Sequence, residues 1–205
     1  MNKQGMLITF EGIDGCGKST MLNMLSNYLR QSGYDVVETR EPGDSDFGQF
    51  FRDMLLNSDF GTMDEITETL LYSVDRARHV SEVVRPSVNA GRIVVCDRYT
   101  DSTLAYQGGG RGLDIGFLRK LNDFATGGLI PTATFYLRIP LAVMETRLAG
   151  EKDRLEQESL DFFDRVKDVY DMLADSEHER VFAIDASQQI DQVFADILEK
   201  TKGLL

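Results

Sequence analysis

Residues Gly12-Ile13-Asp14-Gly15-Cys16-Gly17-Lys18-Ser19 set glycine, glycine, lysine and serine at the fixed positions of a phosphate-binding loop. Glycines let successive backbone N–H groups turn inward around phosphate oxygens. A helix that starts where the loop ends adds the partial positive charge of its N-terminus. A lysine at that point reaches the β- and γ-phosphates of a nucleoside triphosphate, and the hydroxyl after it ligates Mg2+. Lys18 and Ser19 are the candidates for these tasks, and Thr20 helps hold the α-phosphate. Ile13, Asp14, Gly15 and Cys16 complete the loop, with Cys16 read simply as a small residue.

Such a cradle serves switches, motors and small-molecule kinases alike. A guanine-reading switch needs Asn-Lys-x-Asp further along; the Asn2-Lys3 pair lies in the wrong place and lacks the aspartate. Motors usually carry larger chains. Phosphoryl transfer between two anions needs dense positive charge and exclusion of water. Arginines stand at the expected positions: Arg40, Arg76 and Arg98, then Arg147 and Arg154 in or beside a candidate lid. Asp97 follows an apolar run, where a Mg2+-linked or base-like carboxylate belongs. Tyr72 and Arg76 are four residues apart and so share a helix face. Tyr72 alone reads as a core aromatic, but an unpaired guanidinium beside it is costly to bury.

The elements that must position these residues alternate. Met6–Phe10 is an apolar strand ending in the glycine loop, and Lys18–Gln31 has apolar residues at helical spacing, closed by Gly33. Val36-Val37 opens a second strand, closed by Glu41-Pro42-Gly43, and 64–89 reads as one long helix with Pro86 near its end. Strands at 92–96, 133–139 and 181–184 alternate with helices at 114–125, 141–148, 155–174 and 190–202. Phe47, Phe50, Phe51 and Leu55 read as core or dimer surface. Alternation of this kind predicts an α/β fold: a five-stranded parallel sheet with helices on both faces. Ligands then sit beyond the carboxyl ends of the strands.

The chain has 205 residues, which suits a single domain over 1–205. Its net charge of −12 makes it a poor binder of nucleic-acid polymers. Arginines clustered locally still suit a small phosphorylated ligand. Cys16, Cys96, His79 and His178 are not spaced as a zinc site, and reduced cysteines fit a cytoplasmic protein. Neither a secretory leader nor a run long enough to span a bilayer is expected.

The segments Glu11–Thr20, Thr39-Arg40-Glu41-Pro42-Gly43, Asp75-Arg76-Ala77, Asp97-Arg98-Tyr99, 105–112 (AYQGGGRG) and 153–158 (DRLEQE) together resemble bacterial thymidylate kinase, in order and over roughly the whole chain. The resemblance implies a P-loop nucleoside monophosphate kinase fold and transfer of the γ-phosphoryl group of ATP to dTMP with Mg2+. It also implies a homodimer packed through helices. Carried over by position, Asp14 accepts a hydrogen bond from the 3′-hydroxyl of the acceptor. Tyr72 stacks on thymine where the family usually has Phe, and Arg76 donates to a base carbonyl. Arg98 grips the acceptor phosphate and bridges it to the donor, with Arg40 close by. Thr103 and Tyr106 touch base and sugar, Tyr106 crowding a 2′-hydroxyl; Gln107 and Gly108-Gly109-Gly110 line the same cleft.

In the family an arginine near the transferred phosphate comes from the phosphate-binding loop or from a lid. Gly15 fills the loop position here, so the lid (approximately 147–154) must supply it, from Arg147, Arg154 or Lys152. Asp153 and Glu156 are candidates to orient the lid or a Mg2+-bound water. Two departures stand out: a short lid at Ala149-Gly150-Glu151-Lys152, and Gly43-Asp44-Ser45 where the family often reads Gly-Gly-Thr. A carboxylate at Asp44 weakens anion binding unless it points away. Two other readings compete: a related kinase with another acceptor, and a nucleotide-binding protein without turnover.

Overall fold

In a computed structural model, residues 5–44, 46–57, 63–148 and 153–205 are described. Strand β1 (Met6–Glu11) is buried along almost its whole length and runs into the glycine loop. Helix α1 (Lys18–Gln31) follows, entered through Gly17 at φ 98°. Next come β2 (Val36–Arg40), α2 (Asp46–Leu56) and α3 (Glu65–His79). Asp64 caps α3, accepting from the N–H groups of Ile66 (3.1 Å) and Thr67 (2.9 Å).

The stretch expected as one helix over 64–89 is helical throughout but not uniform. A π-helical segment, Val80–Val84, joins α3 to α4 (Arg85–Asn89). Pro86 has no N–H to give to a carbonyl four residues back, so a widened turn before it is physically reasonable. Strand β3 (Ile93–Asp97) leads into the one-turn helix α5 (Thr100–Thr103) and a second π-helical segment, Leu104–Gly110. Then follow α6 (Ile115–Thr126), β4 (Ala133–Arg138), α7 (Leu141–Arg147), α8 (Leu160–Ser176), β5 (Val181–Asp185) and α9 (Ile190–Lys202). Helix α8 starts five residues later than expected because Ser159 caps it, accepting from Phe162 N–H at 3.2 Å.

The five strands form one parallel sheet in the order β2-β3-β1-β4-β5. Side chains alternate across it. Leu7, Val94 and Cys96 face Val80, Val84 and Tyr99 on one side. Ile8, Phe10, Ile93, Val95 and Phe135 face the larger core built with α1 and α8 on the other. The strands' carboxyl ends bring Glu11, Arg40, Asp97 and Arg138 to one edge, above which the glycine loop lies.

Gly109 and Gly110 belong to a packed helix rather than a free loop. A Cβ on Gly110 would come within 2.4 Å of the Phe162 ring, and one on Gly109 within 2.5 Å of the Arg165 carbonyl. Their lack of side chains lets the π-helical segment lie directly on α8.

Candidate active site

The loop between β1 and α1 takes the conformation its glycines permit, with Gly12 at φ 135°, Gly15 at 74° and Gly17 at 98°. Lys18 is folded back over it. Its ammonium donates to the carbonyls of Gly12 (3.1 Å) and Ile13 (3.3 Å) and lies 3.6 Å from Asp14. Ser19 donates to an Asp97 carboxylate oxygen at 2.9 Å, joining the start of α1 to the end of β3. A hydroxyl and a carboxylate so placed are the oxygen donors a hard divalent cation prefers. Among the described residues no group of three or more His, Cys, Asp or Glu side chains could hold a metal ion. Any ion held here would therefore share its coordination with phosphates and water.

Arg98 is the one non-glycine at positive φ (69°) among the described residues. That conformation is disfavoured for an L-residue with a long side chain. It aims the guanidinium at the loop, donating to Asp14 (2.5 Å), Tyr106 (3.1 Å), the Gly12 carbonyl (3.2 Å) and Ser102 (3.3 Å). Its carbon also lies 4.8 Å from the Tyr106 ring centre. Tyr106 donates to the second Asp14 oxygen at 3.1 Å. Burial on its own would raise the Asp14 carboxyl, but Arg98 and Lys18 beside it hold it well below the usual carboxylate range.

Asp14, Tyr72, Arg76, Arg98, Thr103, Tyr106 and Gln107 line one cavity. A second cleft is walled by Gly17–Thr20, Arg40, Asp97, Arg98 and Arg147, and shares Asp14, Glu41, Arg52 and Arg98 with the first. Of these four, Asp14 and Arg98 bond to each other and join the glycine loop to the end of β3.

Arg76 is held from all sides. It donates to Glu41 (2.7 Å), Thr103 (2.6 Å), Asn122 (2.8 Å) and the Tyr99 carbonyl (2.9 Å). Those bonds occupy four of its five N–H groups, leaving one for the cavity. Behind it, Glu41 meets His79 Nδ1 at 2.8 Å, and His79 Nε2 meets Thr39 at 2.5 Å. Thr39 gives its one hydroxyl proton to Asp44 at 2.6 Å. The carboxylates of Glu41 and Asp44 around this chain favour the protonated ring. Burial opposes that charge, but Glu41, Asp44 and Asp75 raise the His79 pKa. Asp44 therefore points at Thr39 and not into the phosphate cleft, which accounts for a carboxylate at that place.

The two lid candidates lie apart. Arg147 donates to the carbonyls of Gly15 (3.2 Å) and Ala186 (3.3 Å), against the glycine loop. Arg154 donates to Glu68 (2.6 Å) and to the Leu55 carbonyl (2.8 Å) and does not line the phosphate cleft. Lys152 lies outside the described residues.

Residues 10–197 match the thymidylate kinase family. A thymidylate kinase from Desulfovibrio desulfuricans is 49% identical over 198 residues, covering 92% of this chain and 91% of that one. One from Exiguobacterium sibiricum is 43% identical, covering 94% and 92%. A crystal structure of thymidylate kinase from Ehrlichia chaffeensis superposes with a TM-score of 0.81 at 31% identity, covering 97% and 98%. The chain belongs to the thymidylate kinase family.

Two features of this thymidylate kinase family member escape the sequence reading. Arg52, on α2, lines both the cavity and the cleft and donates to the Pro42 carbonyl at 3.0 Å. Burial and then the neighbouring Arg40 charge depress its pKa, as expected for cations crowded toward an anion site. Its signal was an arginine in an apolar run, Phe50-Phe51-Arg52, whose helix went unread. The second is a pocket beside the glycine loop walled by Thr20, Met21, Arg147, Ala186, Gln188 and Ile190. Its far wall is the turn after β5, which the strand-end rule points to.

Proposed function

We propose that this chain transfers the γ-phosphoryl group of ATP to dTMP, giving ADP and dTDP. The observation that carries the reading is the junction at Asp14 and Arg98, which bond to each other and line both the phosphate-loop cleft and the adjoining cavity. The triphosphate lies along Gly12–Thr20, with Lys18 at its β- and γ-phosphates and the adenine beside Gln188. The acceptor enters the cavity with its base against Tyr72 and the remaining Arg76 N–H. Asp14 and Tyr106 face its sugar, and Arg40, Arg52 and Arg98 its phosphate. Charge concentrated on preset side chains in a closed site is what an in-line transfer requires.

Ser19 and Asp97 would hold Mg2+, which supplies charge neutralisation on the β- and γ-phosphate oxygens. In this proposal Arg147 provides the cation near the transferred group, and residues 147–154 act as the lid of one kinase domain. A homodimer is part of it: Ile66, Leu70 and Val74 on α3, Phe117 and Phe124 on α6 and Phe47 and Phe50 on α2 are exposed on adjacent helices. Apolar surface of that extent marks an interaction face. A cytoplasmic location is proposed as well; both cysteines are free thiols, and ATP is the donor. Among the described residues no helix is long and apolar enough to cross a membrane.

A coupled assay with ATP, Mg2+ and a panel of nucleoside monophosphates tests the reading. The highest kcat/KM is expected for dTMP. A different preferred acceptor would replace the substrate assignment, and tight ATP binding without ADP formation for any acceptor would overturn catalysis itself.

A further inference from the structure

Arg98 owes its aim to a carboxylate that touches neither nucleotide site. Glu11 is the last residue of β1 and is fully buried. One of its oxygens accepts from the backbone N–H groups of Tyr99 (2.7 Å) and Ser102 (3.3 Å). The other accepts from the hydroxyls of Ser102 (2.5 Å) and Tyr170 (2.8 Å). Tyr99 has no side-chain cap to offer α5, so Glu11 caps that helix from another strand.

The consequence falls on Arg98. Its own N–H is tied to the Phe10 carbonyl at 2.9 Å, and the next N–H is tied to Glu11. Both neighbours in β1 thus hold Arg98 in its left-handed conformation, and strain of that kind persists only where surrounding contacts impose it. Ser102 adds a second link. Its hydroxyl proton goes to Glu11, which turns a lone pair toward the Arg98 guanidinium at 3.3 Å.

We infer that Glu11 is a positioning residue for phosphoryl transfer, acting through Arg98. The inference rests on the role proposed above for Arg98. Its ionised form gives all four hydrogen bonds acceptors. A protonated carboxyl must turn one of them round, and the Ser102 proton is then free to leave the orientation that serves Arg98. Burial and then the Asp101 charge push the Glu11 carboxyl up to about 7, against the pull of Ser102, Arg98 and Tyr170. The other groups near enough to matter are Arg76 on α3 and Cys96 on β3. Asp101 is itself held by Arg180 at 2.7 Å.

The test compares wild type, Glu11→Gln, Arg98→Ala and the double variant with saturating ATP and dTMP. Glutamine stands in for the protonated acid. Near pH 8, E11Q is expected to lower kcat by about tenfold or more, since a displacement of about 1 Å costs on the order of 100-fold. KM for ATP should stay within about twofold, and the double variant should be no slower than R98A. The gap between wild type and E11Q should close as pH falls below about 6. The acceptor phosphate titrates alike in both proteins, so the ratio isolates Glu11. A ratio that is constant with pH, or additive losses in the double variant, overturns the inference. If R98A alone leaves kcat intact, the role given to Arg98 fails instead. Should E11Q not fold, Tyr170→Phe removes a single bond to Glu11; it should lower kcat in wild type and have no effect in R98A, and any other pattern counts against the inference.

Discussion

The guanidinium of Arg154 lies 2.6 Å from the carboxylate of Glu68, a side chain with no exposed surface. Glu68 also accepts from Arg111 and from Gln107, so one buried anion gathers α3, the second π-helical segment and the segment before α8. Among the described residues, the Arg147 side chain donates to backbone carbonyls, those of the glycine loop and of the turn after β5. Arg154→Ala should therefore cost stability, roughly 2–4 kcal/mol in a denaturant titration, because it leaves a buried carboxylate short of a partner. Arg147→Ala should leave stability nearly unchanged and lower kcat on the order of 10- to 1,000-fold. The reverse pattern would make Arg154 the cation at the transferred group.

Lys18 is nearly buried, with its charge held over the loop by two carbonyls and Asp14. Nothing else in the loop can place a positive charge there. Lys18→Ala is expected to reduce kcat by about three orders of magnitude or more while the thermal transition stays cooperative. Retained turnover in that variant would remove the phosphate cradle from the mechanism.

Arg76 faces two tasks at once, closing a buried network and presenting one N–H to the acceptor cavity. An alanine there would strand Glu41, whose carboxyl Arg76 and His79 hold below its usual range against burial. Arg76→Lys keeps the charge and loses the fork. KM for dTMP should rise on the order of tenfold while KM for ATP moves by less than about twofold. Equal changes in both constants would place Arg76 outside the base pocket.

How legible all this was depends on distance along the chain. The glycine loop is contiguous, and its place between a strand and a helix could be read from spacing alone. The parallel sheet followed from short apolar runs alternating with helical periodicity, and the five-stranded order agrees with it. Helix α2 was missed because its apolar residues divide between two faces: Leu55 is buried while Phe47 and Phe50 are exposed. The tie between Arg154 and Glu68 joins residues 86 positions apart, and charge near a lid says nothing of a partner so remote. The place of Asp44 is illegible for the same reason, since the Thr39–His79 chain it joins reaches α3.

Stability should rise as pH falls from about 8 to 5.5. Burial, followed by the charge of a neighbouring carboxylate, raises Glu11 to about 7 from 4.5 and Asp75 to about 6 from 3.8. A carboxyl raised on folding binds more protons in the native state between the two values, so unfolding becomes harder as pH drops through that window. His79 acts in the same sense: its stabilisation is present below its unfolded pKa and lost as pH rises through the higher folded value. Asp14, Glu41 and Glu68 are held low and should matter only in stronger acid. Melting curves should show Tm several degrees higher near pH 6 than near pH 8, and E11Q should flatten much of that slope. A Tm that falls over this range would contradict the burial assigned to Glu11.

The proposed dimer turns on the outer face of α3. Ile66, Leu70 and Val74 recur every four residues and are 60%, 50% and 46% exposed, beside Phe117 and Phe124 on α6. A stripe with that period is one helix face, and the helix meets α2 and α6 on its flanks. The same surface on a second copy would bury it by a two-fold contact. A glutamate in the centre of such a contact would face its own symmetry mate, and two like charges brought out of water oppose association. Leu70→Glu should therefore convert a dimer to a monomer at micromolar concentration, as read by sedimentation equilibrium, with the monomer still folded. A wild-type chain that sediments as a monomer at all concentrations, or an L70E variant that stays dimeric, would show that α3 does not carry the interface.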